Sequence, residues 1–326
     1  MSDTGQFWKI YALGGGLGHF NRALSLSRLA ISRGHKVEIL TNSRFVPHIP
    51  WEKELGKLGN VISIDSNASS EHTSQVVVDW LRRQRFDRLI VDTFPRGLAG
   101  ELPELLAEVT VPKALIHRDL NPEYIKQHDV EKAVAKFDQL ILPGEDAPFK
   151  NAVRARRTAP WFIRDSEELQ VVTEARKRLG IRTGDSRRLL LVCSTGRAQE
   201  EGQFKKIGDK LRGLLDGWLV RLVSPAHNAA ELKVWPLLSL LNGVDALVGG
   251  GGYNLVNEAR ATETPLFAFS LERRYDRQRR RLKTSECVSD VSKIVSGIQF
   301  LPKRSVAKTY VNGAHKAVDL IESSCA

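Results

Sequence analysis

The sequence has little cysteine and no long apolar stretch. Its three cysteines, Cys193, Cys287 and Cys325, are too few and too scattered for a disulfide or zinc framework. The absence of an apolar run long enough to span a bilayer excludes a membrane-spanning helix. The first residues, MSDTGQFWKIYAL, have no basic start followed by an apolar run, so no secretory signal is expected. These absences predict a cytoplasmic protein in a reducing compartment.

Acidic residues are outnumbered by basic ones. The 49 lysines and arginines exceed the 38 acidic residues and give a formal net charge of +11. Such a charge suits nucleic acid, an anionic membrane surface or anionic small molecules. The densest basic run, LERRYDRQRRRLK at 271–283, lacks the aromatic interleaving or known module typical of nucleic-acid binding. We therefore expect no nucleic-acid partner, while peripheral contact with an anionic membrane at its inner face stays open.

Short β-branched runs alternate with amphipathic runs along the chain, which predicts βαβ units and parallel sheets. The predicted strands are 7–13, 36–41, 61–65, 88–92, 113–118, 139–144, 188–194, 218–224, 245–250 and 264–270. A helix is predicted at 19–33, ended by Gly34, and a terminal helix at 308–324. The predicted class is α/β, with two Rossmann-like domains facing across a cleft. The expected domains are 1–160 and 161–326, with the last helix either in the second domain or packed back on the first.

The loop GGGLGHFNRA, residues 14–23, follows the first predicted strand and opens the first helix. Glycine permits positive φ and close approach of a ligand, and a helix N-terminus favours negative charge. The spacing matches neither the dinucleotide fingerprint nor a Walker loop. Ligands of parallel sheets bind at the carboxyl ends of strands, so His19 is expected to face the cleft as a general base for an acceptor hydroxyl. The alternative is a tight turn capped by His19.

The loop VGGGGYNLVNEARATETP, residues 248–265, repeats this pattern in the second half. Backbone N–H groups from Gly251 to Asn254 predict an anion site for a diphosphate. The carboxylate of Glu258, one turn further, suits both hydroxyls of a ribose. The alternative is a glycine turn followed by an ordinary surface glutamate.

Two further loops follow predicted strands of the second half. CSTGRAQ, residues 193–199, offers small residues with hydroxyl and N–H groups: Ser194, Thr195 and Gly196. SLERRYDRQRRR, residues 270–281, offers Asp276 and Gln278 for sugar hydroxyls, and its arginines suit phosphate. Most of these arginines could equally form a solvated basic face.

The segments GGGLGH…RAL…RGHKV and VWPLLSLLNGVDALVGGGGYNLVNEARATETPLFAFSLERRYDRQRRR resemble the GT-B glycosyltransferases, in particular the MurG and UDP-glycosyltransferase group. The resemblance implies that the second domain holds a nucleoside diphosphate sugar, most naturally a UDP-sugar, as co-substrate, with no cofactor and no metal. The implied donor residues are Ser194, Thr195 and Gly196 in the first phosphate loop, Val234 and Trp235 around the base, Gly251, Gly252, Tyr253 and Asn254 at the diphosphate, Glu258 at the ribose, and Asp276 and Gln278 at the sugar.

On the acceptor side, the resemblance places His19 near an acceptor that the sequence does not identify. Residues expected to bind the acceptor or to orient His19 as part of the catalytic group follow the strands of the first half: Gly16, Gly18, Arg22, Asp92, Arg96, Arg118 and Asp119. Asp92 and Asp119 are the expected catalytic partners of His19. Each of Asp92, Arg96, Arg118 and Asp119 could equally form a surface ion pair.

One departure opens an alternative activity. MurG has a proline where Arg22 stands, and GLGHFNRAL is similar instead to the GxGHxxR opening of nucleotide-sugar hydrolases of the same architecture. The leading expectation is transfer of a hexosyl or N-acetylhexosaminyl group to a hydroxyl or amine. The alternatives are hydrolysis, with water as acceptor, and a non-catalytic nucleotide-sugar-binding protein.

Overall fold

The computed structural model describes residues 5–194, 198–226, 231–302 and 309–324. Its contacts divide the chain into two compact α/β units. Unit 1 comprises Met1–Ile163, Arg274–Asp276 and Asn312–Ala326. Unit 2 comprises Arg164–Arg273 and Arg277–Val311. The chain thus leaves unit 1 after Ile163, contributes Arg274–Asp276 to it, and returns to it for the last helix.

Strands and helices alternate in both units. The strands are β1 (Phe7–Ala12), β2 (Lys36–Thr41), β3 (Gly59–Ser63), β4 (Arg88–Asp92), β5 (Lys113–Ile116), β6 (Gln139–Pro143), β7 (Ala155–Thr158), β8 (Arg188–Cys193), β9 (Trp218–Ser224), β10 (Leu232–Lys233), β11 (Ala246–Gly250) and β12 (Leu266–Phe269). The helices are α1 (Leu17–Ser32), α2 (Trp51–Leu55), α3 (Ser70–Arg82), α4 (Leu102–Glu108), α5 (Pro122–Gln127), α6 (Val130–Val134), α7 (Val172–Arg178), α8 (Ala198–Leu214), α9 (Tyr253–Ala261), α10 (Gln278–Arg281), α11 (Val291–Gln299) and α12 (Gly313–Glu322). Short 3₁₀ turns lie at Val46–His48, Gly56–Leu58, Ser166–Glu168 and Leu238–Gly243.

Unit 1 contains a seven-stranded parallel sheet in the order β3-β2-β1-β4-β5-β6-β7. Its central strands are buried almost throughout, as expected for a parallel sheet covered by helices on both faces. Because β1 and β4 are neighbours, the loops after Ala12 and after Asp92 open at the same edge of the sheet. This adjacency brings the α1 N-terminus beside Asp92.

Unit 2 contains a five-stranded parallel sheet in the order β10-β9-β8-β11-β12. Its core includes Leu190, Val192, Phe204, Val220 and Val248. β8 and β11 are neighbours, so the loops that follow Cys193 and Gly250 open at one edge. The two sheets confirm the predicted α/β class with two Rossmann-like units, while a cleft between them stays a prediction.

Helix α1 ends as the sequence predicts. Gly34 has φ +90°, its N–H donates to the Ile31 carbonyl at 2.9 Å, and the His35 N–H donates to the Ala30 carbonyl at 3.1 Å. This pair of hydrogen bonds is a Schellman motif, which places Gly34 at the left-handed position beyond the C-cap. The helix begins at Leu17, two residues earlier than predicted, because Gly16 serves as its N-cap.

β3 begins and ends two residues earlier than predicted, two short strands were not predicted, and the last helix begins later than predicted. β7 was not predicted, because its sequence ARRT is polar and it forms the exposed edge of the sheet. β10 has two residues and gives no periodicity. The last helix begins at Gly313 rather than 308, since the Asn312 side chain accepts from the Ala314 N–H and caps it. Within the described ranges, no helix is long and apolar enough to cross a membrane.

Candidate functional site

The glycine loop after β1 is hydrogen-bonded to a residue that directly follows the neighbouring strand β2. The N–H groups of Gly14 and Gly15 both donate to Asn42 Oδ1, at 2.7 and 2.8 Å. Gly15 has φ +71°, a conformation that favours glycine. Asn42 was not predicted from the sequence. Its position directly after β2, whose end meets the end of β1 in a parallel sheet, is the signal that could have identified it.

His19 and Asp92 form a hydrogen-bonded pair at the start of α1. His19 Nδ1 lies 2.6 Å from Asp92 Oδ2. Asp92 is fully buried, and 16% of the His19 side chain is exposed. Because Asp92 is ionised, the Nδ1 nitrogen carries the proton, and Nε2 keeps a lone pair. A base oriented by a buried carboxylate in this way can take a proton from a hydroxyl group.

Arg22 contacts Asp92 inside unit 1, and its expected role in binding substrate stays a prediction. It is 1% exposed, and its Nε and Nη2 donate to the two oxygens of Asp92 at 3.0 and 2.7 Å. Burial alone would raise the pKa of Asp92, but the Arg22 guanidinium and His19 hold it below its usual range. Arg22 Nη2 also reaches Thr93 Oγ1 at 3.3 Å, and Thr93 has φ +71°. Arg22 lies three residues after His19, so the two side chains share one face of α1. Both contact the buried Asp92, and Arg22 therefore faces the interior.

Burial lowers the pKa of His19 below its usual value, and Asp92 opposes this shift. The nearby guanidinium groups of Arg22 and Arg118 lower it further. One face of the imidazole stacks on Phe94, with ring centroids 5.4 Å apart and an interplanar angle of 25°. The imidazole is therefore neutral at physiological pH, which is the form that acts as a base.

The glycines of the loop have two different roles. A Cβ added at Gly14 would lie 2.2 Å from His19 Cδ2 and 2.4 Å from Nε2, so Gly14 makes room for the imidazole. A Cβ added at Gly15 or Gly16 would meet no heavy atom within 4 Å, and one at Gly18 would meet only Arg22 Nη1 at 3.7 Å. Gly15 and Gly16 thus face open space, as expected of a loop that a substrate approaches.

The remaining predicted residues of unit 1 lie after β4 and β5. Arg118 is 6% exposed, and its Nε donates to Glu145 Oε1 at 2.6 Å. Its Nη2 lies 3.9 Å from Asp276 Oδ1, which belongs to the same unit. The Asp119 N–H lies 3.5 Å from Glu145 Oε1. Glu145, which the sequence did not indicate, therefore organises this loop, while Asp92 is the carboxylate that contacts His19.

Arg96 follows the same strand as Asp92 but contacts a different element. Its Nη1 donates to the His128 carbonyl, just beyond α5. The contact fixes the segment after β4 against the segment after β5. Arg96 is thus brought to the same sheet edge as His19, with one of its donors already used.

In unit 2, the first three glycines of the second loop serve packing. A Cβ at Gly249 would lie 2.4 Å from Leu255, one at Gly250 would lie 2.9 Å from Leu271, and one at Gly251 would lie 3.0 Å from Leu282. The Gly251 N–H donates to the Phe269 carbonyl at 2.9 Å, and its carbonyl accepts from Arg281. Both polar groups of Gly251 are therefore used within the unit, and its expected contact with a diphosphate stays a prediction.

Gly252 begins the open part of that loop. It is the N-cap of α9, and a Cβ added there would meet no heavy atom within 4 Å. Tyr253 and Asn254 form the first turn, where backbone N–H groups have no partner inside the helix. The buried Asn254 Oδ1 and Ser194 Oγ have no hydrogen-bond partner among the described residues. Unsatisfied polar atoms beside a helix N-terminus suit a polar, anionic ligand. The predicted Thr195 and Gly196 lie outside the described residues.

Glu258 lies on the buried side of α9. It is 7% exposed, and burial raises its pKa to about 8. Burial raises the pKa values of Cys193 and Tyr310, and the charge of Glu258 raises them further. A buried carboxyl whose pKa is raised by burial is a candidate for a binding site.

Three other predicted donor residues have identified surroundings in unit 2. Gln278 is 5% exposed, and its Oε1 accepts from the Leu271 N–H at 3.1 Å, so it holds the strand end. The Val234 N–H donates to the Ser224 carbonyl at 2.9 Å, which ties it to the end of β9, and Trp235 follows half-buried. Asp276 belongs instead to unit 1. Among the described residues, no group of three or more His, Cys, Asp or Glu side chains could hold a metal ion.

The sequence matches no family model and no curated protein. Solved structures match in fold. The glycotransferase of kitacinnamycin is 13% identical, with 98% of each chain covered and a TM-score of 0.62. The spinosyn rhamnosyltransferase SpnG, complexed with spinosyn aglycone, is 16% identical over 97% of this chain and 96% of that chain, with a TM-score of 0.55. The MnaA–UDP co-structure from S. aureus is 9% identical over 96% of this chain and 95% of that chain, with a TM-score of 0.57. These likenesses confirm the GT-B type fold with two Rossmann-like units.

Proposed function

We propose that this protein is a glycosyltransferase that moves a sugar from a nucleoside diphosphate sugar to a hydroxyl or amine acceptor. The observation that carries the proposal is the His19–Asp92 pair beside the open Gly15–Gly16 loop. The GT-B fold, shared with solved glycosyltransferases, supports the same reading. UDP is the proposed nucleotide, on the sequence resemblance and on the likeness to a UDP co-structure.

The proposed reaction proceeds by direct displacement. His19 Nε2 takes the proton of the acceptor hydroxyl while the acceptor oxygen forms a bond to the anomeric carbon. The bond between that carbon and the diphosphate oxygen breaks, and the nucleoside diphosphate leaves with the electron pair. The proton then passes from His19 to solvent. Asp92 stabilises the imidazolium that forms transiently, and it fixes the ring so that Nε2 faces the acceptor.

In unit 2 we propose a donor site formed by the α9 N-terminus, Ser194, Asn254 and Glu258. The positive end of the helix dipole stabilises the charge that develops on the diphosphate. The raised pKa of Glu258 leaves most of the carboxyl protonated near pH 7, and in either form it can hydrogen-bond ribose hydroxyls. Metal independence belongs to the proposal, and unchanged turnover in EDTA is the expected result.

Hydrolysis is the second candidate. The observation that favours it concerns Arg22 of the GHxxR pattern, whose Nε and Nη2 donate to the two oxygens of Asp92. The spacing of the pattern thus serves the His19–Asp92 pair and implies no particular acceptor. Product analysis separates the two activities, since hydrolysis releases free sugar at the same rate with and without an acceptor.

The test compares His19→Ala with His72→Ala, an exposed histidine on α3. UDP, GDP, dTDP and CDP are first screened by thermal shift, because a ligand of the folded state raises the melting temperature. H19A should keep the wild-type shift and lose turnover about 10²–10⁴-fold, while H72A keeps both. Full turnover in H19A would remove His19 from the mechanism. No thermal shift and no turnover in the wild type would overturn the proposed function.

A further inference from the structure

Beside His19, unit 1 carries a group of aromatic side chains from three separate segments. This aromatic wall consists of Phe94 after β4, Tyr124 on α5, His128 beyond α5, and Tyr275 in the segment Arg274–Asp276 of unit 1. Phe94 stacks on the His19 imidazole at 5.4 Å. The wall therefore begins at the base itself. None of its members was identified from the sequence.

The rings contact one another mainly edge to face. Tyr275 lies 5.3 Å from Phe94 and 5.0 Å from Tyr124, with interplanar angles of 74° and 70°. Tyr124 also contacts His128 at 4.8 Å. Phe94 is buried at 4% exposure, whereas Tyr124 and Tyr275 are half-buried. Part of each tyrosine is therefore accessible, on a wall whose rings are fixed by their neighbours.

Three carboxylates near this wall, those of Asp92, Glu101 and Glu145, are engaged within the unit. Asp92 binds His19 and Arg22, and Glu145 binds Arg118. Glu101 accepts from the Tyr11 hydroxyl at 2.6 Å and from the Ala99 N–H at 2.9 Å. Carboxylates that accept hydroxyl hydrogen bonds are what a site for a carbohydrate acceptor needs. Here these carboxylates are bonded within the unit, and the wall offers ring faces and edges instead.

We propose that the acceptor is a planar aromatic compound with a phenolic hydroxyl group, which packs on the aromatic wall with its hydroxyl directed to His19 Nε2. This inference rests on the proposed function. Aromatic rings favour offset-stacked and edge-to-face neighbours at centroid distances of about 4.5–7 Å, which is the range in which the wall is built. The phenolic proton passes to His19, and the phenolate oxygen bonds to the anomeric carbon as the nucleoside diphosphate leaves.

The acidity of the acceptor agrees with the base. A phenol has a pKa of about 10, as in tyrosine, whereas the pKa of water is about 15.7. Burial lowers the pKa of His19, which makes it a weaker base than a free imidazole. For a given base, proton transfer is easier from the more acidic hydroxyl group, which here is the phenol. The chemistry and the shape of the wall therefore select the same acceptor class.

The experiment measures transfer from the donor found by thermal shift to 4-methylumbelliferone, a planar phenol, and to methyl β-glucoside, a carbohydrate alcohol. Binding of 4-methylumbelliferone without donor is measured separately by fluorescence titration. We expect kcat/KM for the phenol to exceed that for the glucoside at least tenfold. Tyr124→Leu and Tyr275→Leu should each raise KM for the phenol about 3–10-fold with little change in kcat, because they remove stacking and not the base.

Two further variants control for folding. Tyr124→Phe keeps the ring and should retain most of the affinity for the phenol. Phe300→Leu removes an exposed aromatic ring of unit 2 and should leave turnover unchanged. Preference for the glucoside, or wild-type phenol kinetics in both leucine variants, would overturn the inference while the proposed function stands. No turnover with any acceptor or with water would overturn the proposed function. In that case saturable phenol binding that weakens in Y124L, but not in Y124F, would still support the aromatic site, and no binding would overturn it.

Discussion

At the scale of single residues, the arrangement around His19 depends on a glycine that no side chain can replace. Gly14→Ala places a Cβ 2.2–2.4 Å from the imidazole, so the ring must move. We expect turnover to fall about 100-fold, since displacement of a base by about an ångström has that effect. The measurement is kcat with the donor and acceptor in excess.

Gly16→Ala is the matched control in the same loop. No heavy atom lies within 4 Å of the added Cβ, so the folded chain tolerates it. We expect an unfolding free energy within about 0.5 kcal/mol of wild type. If a substrate approaches this backbone, KM rises and the base still works. Equal loss of kcat in both glycine variants would contradict the separate roles assigned to them.

Asp92→Asn tests the carboxylate that orients His19. The change leaves Arg22 buried without its ionic partner, which should cost about 3–5 kcal/mol of unfolding free energy. Turnover should fall about 10²–10⁴-fold, because the ring loses its orientation and the imidazolium its stabilising charge. In the double variant with His19→Ala, the losses of turnover should not add, since the two residues act as one unit.

The pH dependence of kcat/KM gives an independent check on this pair. His19 must be neutral to act, and its pKa lies below the usual 6.5 because of burial. Activity should therefore rise with pH along a limb centred below 6.5. Asp92 raises the pKa of His19, so its loss in D92N should move the residual limb to lower pH. A limb at or above pH 7 in the wild type would contradict the assignment of His19.

The sequence predicts the position of a residue where that position follows from nearby sequence features, such as the end of a strand or a glycine run. His19 directly follows a strand and a glycine run, and Asp92 ends an apolar strand, so parallel-sheet geometry brings both to one edge. Asn42, Glu145 and Tyr275 could not be predicted, because each acts through a contact with a residue remote in sequence. The packing role of Gly251 was hidden for the same reason, since the side chain that fills its Cβ position is Leu282.

At the scale of elements, α9 carries a buried acid that makes stability depend on pH. The folded-state pKa of Glu258 is raised to about 8, above its unfolded value near 4.5. Such a group contributes stability that is fully present below pH 4.5 and is lost as pH rises towards 8. Glu258→Gln should remove this dependence, so that E258Q is more stable than wild type at pH 8.5 by several kcal/mol.

Urea unfolding at pH 5 and pH 8.5, followed by a probe in unit 2, measures this effect. The wild type should lose stability between the two pH values, and E258Q should lose less. At pH 8.5, where most of the Glu258 carboxyl is ionised, the variant should also bind the nucleotide more weakly, because a neutral amide accepts ribose hydrogen bonds less strongly than a carboxylate. An identical pH dependence in both proteins would show that Glu258 does not titrate in this range.

Elements could be predicted where the sequence carries a clear apolar run or a glycine at a helix end. The Schellman motif at Gly34 and the buried strands β1, β4 and β8 agree with the sequence patterns. β7 could not be predicted, since an exposed edge strand of arginines has no apolar alternation to reveal it. What makes it a strand is pairing with β6, a tertiary cause that overrides local propensity.

At the scale of the whole molecule, Asn312 and helix α12 pack against the first part of unit 1. The Asn312 side chain accepts from the Phe162 N–H and donates to the Phe162 carbonyl, both at 3.0 Å. Arg88 donates to the carbonyl groups of Ile321 and Ser324 at 3.2 and 3.1 Å. Helix α12 also buries Val318 and Ile321, each at 1% exposure or less. The unit that carries His19 therefore depends on residues at both ends of the sequence.

A truncation after Val311 tests this dependence. Loss of α12 removes the buried apolar contacts and hydrogen bonds, roughly 5 kcal/mol or more, which is comparable to the whole stability of many domains. We expect unit 1 to unfold and turnover to disappear. Asn312→Ala should cost about 2–4 kcal/mol and keep activity at low temperature, because it removes two hydrogen bonds and a helix cap but leaves the apolar face.

Nucleotide binding separates the two units in this experiment. The donor residues Ser194, Asn254 and Glu258 all belong to unit 2, whose strands and helices the truncation leaves in place. The truncated chain should therefore still show a nucleotide-dependent thermal shift, although it no longer transfers sugar. Since α12 contributes no residue to the proposed donor site, loss of the shift would mean that unit 2 does not fold without unit 1. Retained turnover would show that α12 is dispensable for the geometry of His19 and Asp92.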